Sequence, residues 1–272
     1  MVEASSGALP PDAADTRPGP AVVRVSGVAK RYPNGTLAVR DVNLSVARGD
    51  FVSLLGPSGC GKSTLLRMIA GLIRPTEGEI AAGSGRNGIS FVFQEPTLLP
   101  WASALKNVML PLRLCGVTNR SERADRAAAA LAQVGLAGFE QSYPRALSGG
   151  MRMRVSIARA LVTRPRLLLM DEPFAALDEI TRFRLNNDLL RLWEAERFTG
   201  IFVTHSVFES VYLSRRIVVM AARPGRIDAD IAVDAPYPRG EEFRTSAVYA
   251  AHCREVSRAL TAAMGDDVGA LH

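Results

Sequence analysis

Cysteine and long apolar stretches are scarce in this sequence. The 272 residues contain three cysteines, none at a spacing typical of metal ligands, so neither a disulfide framework nor a zinc site is implied. No apolar stretch approaches the roughly 18 residues that span a bilayer. Residues 1–20, rich in Ala, Pro, Gly and Ser, lack the basic start and apolar core of a secretion signal. We predict that they form a disordered tail and that the chain stays in the cytoplasm.

A dense run of one charge is also missing. The chain has 33 basic and 27 acidic residues, a net charge of +6. Such an excess can indicate a nucleic-acid surface or an anionic membrane face. The most regular arginines form only a loose series without interleaved aromatics, at Arg113, Arg120, Arg123 and Arg126. We therefore expect an arginine-rich solvated surface and no nucleic-acid partner.

One of only three lysines lies in a glycine-rich segment with the spacing G-x-x-x-x-G-K-[ST]. The apolar run Phe51–Leu55 before it predicts a buried strand, and Leu65–Ala70 after it predicts a helix. Backbone N–H groups and the helix N-terminus then favour phosphate. We expect Lys62 to reach the β- and γ-phosphates of a nucleotide and Ser63 to hold Mg²⁺; a glycine-rich turn without a ligand is the alternative. The predicted nucleotide-binding residues are Gly56, Pro57, Ser58, Gly59, Cys60, Gly61, Lys62, Ser63 and Thr64.

Two adjacent carboxylates follow another apolar run, Leu167–Met170. Asp171, at the strand tip, suits Mg²⁺, and Glu172 can act as general base on a water in line with the γ-phosphate. Many such pairs are ordinary surface residues, but a position after an apolar strand and downstream of a phosphate loop favours function.

A second potential anion site precedes the predicted helix Met151–Leu161. Ser148, Gly149 and Gly150 would lie at its N-terminus, where backbone N–H groups bind anions. Because one fold needs a single phosphate loop, we expect this segment to complete the nucleotide site of a second copy.

Apolar periodicity predicts the remaining elements. The alternation over Asp41–Val46 predicts a half-buried, antiparallel strand. Helical spacing of the apolar residues predicts helices over Ser103–Leu114, Ser121–Val134 and Thr181–Glu196. Apolar residues that recur every three or four positions from Tyr249 to Met264 predict a terminal amphipathic helix that packs on its own domain. Further strands are predicted at Val22–Val25, Ile89–Phe93, Ile201–Thr204 and Ile217–Met220.

Taken in order, these motifs resemble the ATP-binding subunit of an ATP-binding-cassette (ABC) transporter over about residues 22–233. The resemblance implies an α/β fold, a P-loop NTPase (RecA-like) core with an antiparallel β subdomain and an inserted α-helical subdomain. It implies a tail at 1–20, an ATPase domain at 21–236 with its core at 21–95 and 161–236 and its helical subdomain at 96–160, and a C-terminal helical tail at 237–272.

The resemblance also assigns roles to single residues. Tyr32 would stack on adenine, with a half-buried loop tyrosine as the alternative. Gln94 would sense Mg²⁺ and the attacking water, His205 would contact the γ-phosphate, and Asp178 would cross the seam between two copies. The implied catalytic residues are Lys62, Gln94, Glu172 and His205, the implied metal ligands are Ser63, Gln94 and Asp171, and the residues offered to the second copy are Ser148, Gly149, Gly150 and Met151.

Three positions depart from the family pattern. Met151 and Met153 stand where Gln is usual, and Ser206 follows the histidine where Asp is commoner. A methionine packs but cannot bond as an amide does. Because Ser148 and the glycine backbone remain, we expect activity to survive with altered nucleotide contacts.

The segment Gln94–Trp101 is similar to importers of the nitrate, sulfonate and taurine group, and His205–Ser210 to a branch linked to thiamine precursors. The resemblance implies an ATP- and Mg²⁺-dependent homodimer at the cytoplasmic face of the inner membrane. It would drive a transmembrane permease and, indirectly, a periplasmic or lipid-anchored solute-binding protein. The alternatives are a soluble ABC ATPase acting on DNA or ribosomes, a regulator that no longer hydrolyses ATP, and half of an exporter.

Overall fold

A six-stranded sheet lies at the centre of the protein in the computed structural model, which describes residues 21–83 and 88–268. All its neighbouring strands are parallel except the last pair. Three of the strands are buried over their whole length, which explains their continuous apolar character. The predicted tail at residues 1–20 lies outside the described residues. In spatial order the strands are β5 (Ile89–Val92), β6 (Leu167–Asp171), β7 (Thr199–Thr204), β3 (Phe51–Leu55), β8 (Arg216–Ala221) and β9 (Arg226–Ala232).

A second, antiparallel sheet has three strands, in the order β2 (Leu37–Ala47), β1 (Ala21–Arg31) and β4 (Glu77–Ala82). It confirms the antiparallel strand predicted at residues 41–46. Strand β1 continues to Arg31, well beyond the predicted end at Val25, because its outer half still pairs with β2. Strands β4 and β9 were not predicted from the apolar runs.

Three helices pack together in the chain segment between β5 and β6. They are α2 (Ala104–Leu114), α3 (Arg120–Gln133) and α4 (Gly149–Leu161). Each begins where a polar side chain caps its first turn, at Ser103, Asn119 and Ser148. The predicted helical insertion is present, whereas its proposed boundaries at residues 96 and 160 stay a prediction.

The apolar core covers both faces of the six-stranded sheet. One face packs against α1 (Lys62–Ile69). The other packs against α5 (Glu179–Glu196), whose Trp193 meets the Phe51 ring edge-on at 6.0 Å.

Three further helices lie on the same side as α5: α6 (Val207–Leu213), α7 (Glu241–Arg244) and α8 (Ala247–Val268). Helix α8 packs against β8 and α6, with Tyr249, Cys253 and Val256 buried. The prediction that this terminal helix packs on its own domain is confirmed. Over residues 21–83 and 88–268, no helix is long and apolar enough to cross a membrane.

Candidate nucleotide site

Two glycines shape the phosphate loop between β3 and α1. A Cβ atom at Gly56 would lie 2.6 Å from the carbonyl oxygen of Met220 and 2.7 Å from Sγ of Cys60. Gly61 has a φ of 89° and is the N-cap of α1, and a Cβ atom there would lie 2.5 Å from Cγ1 of Val39. Both positions therefore require glycine. Because no side chain caps α1, its first-turn N–H groups remain available to an anion.

Lys62 links the loop to the end of β6. Its side chain is 4% exposed, and Nζ donates to the carbonyl oxygens of Gly56 at 2.8 Å and Pro57 at 2.9 Å. The same Nζ lies 3.8 Å from Oε1 of Glu172. Burial raises the pKa of the neighbouring Cys60 thiol, although the charge of Lys62 acts in the opposite direction. The ammonium thus stands where nucleotide phosphates would need neutralising.

Ser63 and Asp171 form a direct pair across 108 residues of chain. Oγ of Ser63 donates to Oδ1 of Asp171 at 2.7 Å. Burial raises the pKa of Asp171, while the bond from Ser63 and the charge of Arg67 lower it. A hydroxyl and a carboxylate side by side are oxygen donors of the kind that Mg²⁺ prefers. Among the described residues no group of three or more His, Cys, Asp and Glu could hold a metal, so Mg²⁺ would depend on this pair and on other oxygens.

Glu172 and His205 meet because strands β6 and β7 are parallel neighbours that end at the same edge. Glu172 has a φ of 46°, and its N–H donates to the carbonyl oxygen of Val203 at 3.1 Å. Its Oε2 lies 3.5 Å from Nδ1 of His205. The carboxylate therefore lies between an ammonium and an imidazole, a position suited to holding a water molecule for proton removal.

Tyr32 and Gln94 lie at the periphery of this cluster. The hydroxyl of the half-buried Tyr32 is 3.4 Å from Oγ1 of Thr64, which brings its ring to the phosphate loop. Gln94 is exposed and follows β5 by two residues. Both predicted roles stay predictions.

Ser148 and Asp178 each cap a helix. Oγ of Ser148 accepts from the Met151 N–H at 3.2 Å, and Oδ1 of Asp178 accepts from the Thr181 N–H at 2.9 Å. This backbone bond lowers the pKa of Asp178. A Cβ atom at Gly150 would lie 2.8 Å from Cγ2 of Thr181, so the starts of α4 and α5 are in close contact. Ser148 and Asp178 are both exposed, as a surface that meets a second copy requires.

Sequence reasoning missed a buried polar group beneath His205. Glu209 on α6 accepts from Oγ1 of Thr204 at 2.5 Å and from Nδ2 of Asn186 at 3.4 Å. The available signal was the pattern Ser206-Val207-Phe208-Glu209, which has the S-x-x-E spacing of a capping box.

The loop, the Ser63–Asp171 pair and the carboxylate of Glu172 together define a phosphate-loop nucleotide-binding ATPase. A family model described as ABC transporter matches residues 39–175. The chain belongs to this family.

Similar proteins extend over most of the chain. An uncharacterized ABC transporter ATP-binding protein of Methanocaldococcus jannaschii is 50% identical over 212 residues, 76% of this chain and 79% of that protein. The aliphatic sulfonates import ATP-binding protein SsuB of Bacillus cereus is 44% identical over 227 residues, 80% of this chain and 89% of that protein. A dimeric ATP-binding cassette solved in a post-hydrolysis state with ADP and Pi superposes with a TM-score of 0.70 at 35% identity, covering 79% of this chain and 100% of that one.

The chain is an ATP-binding subunit of the ABC transporter family and an ATPase, and the predicted P-loop NTPase fold is confirmed. Cassettes of the family dimerise, and its import systems pair them with permeases. These findings support the transporter reading and not an ATPase acting on DNA or ribosomes.

Proposed function

We propose that this protein powers the import of a small solute through a membrane permease. The solute class is that of sulfonates, nitrate and taurine, or of thiamine precursors. A relative that is 44% identical carries the name of an aliphatic sulfonates import protein, and the segment Gln94–Trp101 favours the same group. Because the ATP-binding subunit does not itself select the solute, this assignment rests on relationship alone.

Glu172 is the proposed general base. Its two carboxylate oxygens lie 3.8 Å from Nζ of Lys62 and 3.5 Å from Nδ1 of His205. A water molecule held by Glu172 would lie beside a γ-phosphate that Lys62 neutralises and His205 contacts. Glu172 would then take the proton of the attacking water. This juxtaposition is the observation that carries the proposal.

Mg²⁺ fits beside the loop, where Ser63 and Asp171 would hold it with Gln94. When bound it would neutralise charge between the β- and γ-phosphates. The raised pKa of Asp171 means that a proton competes with the cation as pH falls. The uncapped N-terminus of α1 and the Lys62 ammonium would hold the phosphates themselves.

Two copies of the chain would enclose two ATP molecules. The exposed Ser148, with Gly149, Gly150 and Met151 behind it, would face the phosphates bound by the other copy, and Asp178 would lie at the seam. Each copy supplies both halves of a site, so the dimer is symmetric. A similar cassette solved as a dimer supports this arrangement.

The proposed contact with the permease is the segment Gln94–Trp101. Arg159 of α4 donates to the carbonyl oxygens of Pro96 and Thr97, both at 2.9 Å, while the Trp101 side chain is 74% exposed. A segment fixed by its backbone with an aromatic side chain in solvent suits docking of a membrane-subunit helix. The protein would then lie at the cytoplasmic face of the inner membrane.

The test is Glu172→Gln, which keeps the shape of the side chain but removes the base. ATP binding should persist, whereas turnover should fall about 10²–10⁴-fold. Glu242→Gln on α7, an exposed position, is the matched control and should hydrolyse ATP like the wild type. Unchanged turnover of Glu172→Gln would refute the assignment.

Capture from solubilised native cells with tagged Glu172→Gln, ATP and Mg²⁺ tests the transport role separately. A multi-span membrane protein as the main partner agrees with import. Ribosomal proteins or DNA-bound factors in its place would overturn the transport claim and leave the ATPase intact.

A further inference from the structure

We propose that Glu209 is a positioning residue that fixes His205 and couples it to helix α5. The inference rests on the proposed role of His205 at the γ-phosphate. Glu209 is 8% exposed and lies in the first turn of α6, four residues after His205. A carboxylate this deeply buried is costly unless hydrogen bonds satisfy it, so its partners indicate what it does.

One carboxylate oxygen holds Thr204 directly and, through the Thr204 hydroxyl, the backbone of Ser206. The Ser206 N–H donates to Oγ1 of Thr204 at 3.0 Å, and the same hydroxyl donates to Oε2 of Glu209 at 2.5 Å. In return, the Glu209 N–H donates to Oγ of Ser206 at 3.3 Å. The residues before and after His205 are therefore tied to one buried group, which restricts where the imidazole can lie.

The other oxygen faces α5. Oε1 of Glu209 accepts from Nδ2 of Asn186 at 3.4 Å and lies 3.9 Å from Nε of Arg182. Arg182 also donates through Nη2 to the carbonyl oxygen of Leu177 at 2.9 Å, the residue before Asp178. Glu209 thus connects the segment of His205 with the start of α5, the proposed seam. Approach of the second copy at that seam would act on His205 through this path.

An ionised carboxylate suits this place because every partner of its oxygens is a donor. Glutamine at position 209 would lose the negative charge that faces Arg182. Its NH₂ group would either face the donor amide of Asn186 or reverse the direction of the bond with the Thr204 hydroxyl. Ser206 caps α6 without a negative charge, so Glu209 is the acidic residue in this first turn. Because the cap is neutral, it does not compete with the Glu209 carboxylate for the hydroxyl of Thr204, the amide of Asn186 and the guanidinium of Arg182.

The experiment compares steady-state ATP hydrolysis by the wild type, Glu209→Gln, Thr204→Val and Thr204→Ser. Valine keeps the branched shape of threonine without the hydroxyl, whereas serine keeps the hydroxyl without the methyl group. We expect Glu209→Gln and Thr204→Val to lower kcat about 10- to 100-fold with KM for ATP changed less than about threefold, because a catalytic group is misplaced while binding remains. Thr204→Ser should retain most of the wild-type kcat.

A role of Thr204 in packing alone would give the opposite ranking, because packing depends on the methyl group rather than on the hydroxyl. Thr204→Ser would then be the weaker enzyme, and this outcome would overturn the proposal even where Glu209→Gln fails to fold. The double variant Glu209→Gln/Thr204→Val should have a kcat no lower than that of the slower single variant, since both substitutions disrupt the same hydrogen bond between Thr204 and Glu209. Additive losses of kcat would contradict this shared action.

Glu242→Gln again serves as the exposed control and should match the wild type. A wild type without ATPase activity would mean that the proposed function itself fails. An active wild type whose kcat is unchanged by Glu209→Gln and Thr204→Val would refute only the positioning role.

Discussion

Arg239→Ala should be among the most destabilising single substitutions in this chain. The side chain is 4% exposed and lies between two rings, 4.1 Å from the Tyr237 centroid and 5.1 Å from the Phe243 centroid. Its guanidinium joins the end of α6 to the segment that follows β9. It donates to the carbonyl oxygens of Val211 at 2.9 Å, Tyr212 at 3.2 Å, Ser214 at 2.8 Å, Ala235 at 2.9 Å and Val233 at 3.4 Å.

The magnitude follows from what alanine leaves behind. Each buried acceptor without a donor costs about 1–3 kcal/mol, but the bonds share one group and water can enter the space, so the costs do not add. Acceptors that water does not reach, together with the space that the side chain leaves, bring the expected cost of Arg239→Ala to about 3–5 kcal/mol. At about 2–4 °C per kcal/mol for a chain of comparable size, Tm should fall by roughly 6–20 °C.

Urea unfolding followed by circular dichroism measures the effect, with Arg215→Ala as the matched control. The Arg215 guanidinium lies 5.8 Å from the same Tyr237 ring, but the residue is exposed, so its loss should cost less than about 1 kcal/mol. Arg239→Lys should recover little, because one ammonium cannot reach acceptors on both segments. Equal stability of Arg239→Ala and Arg215→Ala would refute the reasoning.

Two further predictions concern the phosphate loop and helix α4. Burial raises the pKa of Cys60 above the ordinary 9.0. In a variant with Cys60 as its single cysteine, the alkylation rate should therefore rise about tenfold per pH unit through pH 9 and fall when ATP is added. A rate that levels off below pH 9 would contradict this prediction. Met153 is 2% exposed, whereas Met151 is half-buried. Met153→Gln should therefore lose about 1–3 kcal/mol of unfolding free energy, and Met151→Gln less than about 0.5 kcal/mol. Thermal melts of both variants measure these losses, and equal losses would show that burial is not the cause.

The sequence predicts those parts of the fold that are coded locally. The buried strands can be predicted because continuous apolar runs are typical of a sheet covered on both faces. Strand β4 (Glu77–Ala82) was missed because only Ile80 in it is a large apolar residue; it is a strand because β1 pairs with it. Helices α4 and α5 begin two residues before their predicted starts, since the caps are Ser148 and Asp178.

The site also divides into parts that the local sequence encodes and parts that depend on packing in the fold. The phosphate loop is one contiguous segment, so its spacing identifies it, and the parallel pairing of β6 with β7 brings Glu172 to His205. Spacing marks Glu209 only as part of a capping box; its contacts with Asn186 and Arg182 form only after α5 packs beside α6. Spacing predicts groups on one segment, whereas groups joined by helix packing require the fold.

Ser148 shows how one side chain can serve both the fold and the proposed chemistry. A hydroxyl has one donor and two acceptor lone pairs, and capping of α4 uses an acceptor, because the Met151 N–H donates to Oγ. The hydroxyl proton is therefore left to donate, and at an exposed helix N-terminus an anion is the ligand it favours. Aspartate would cap the helix equally well but would bring a negative charge and no donor to a phosphate. The proposed seam, which would hold the phosphates of a second copy, would thus account for serine here, where capping alone would accept either residue.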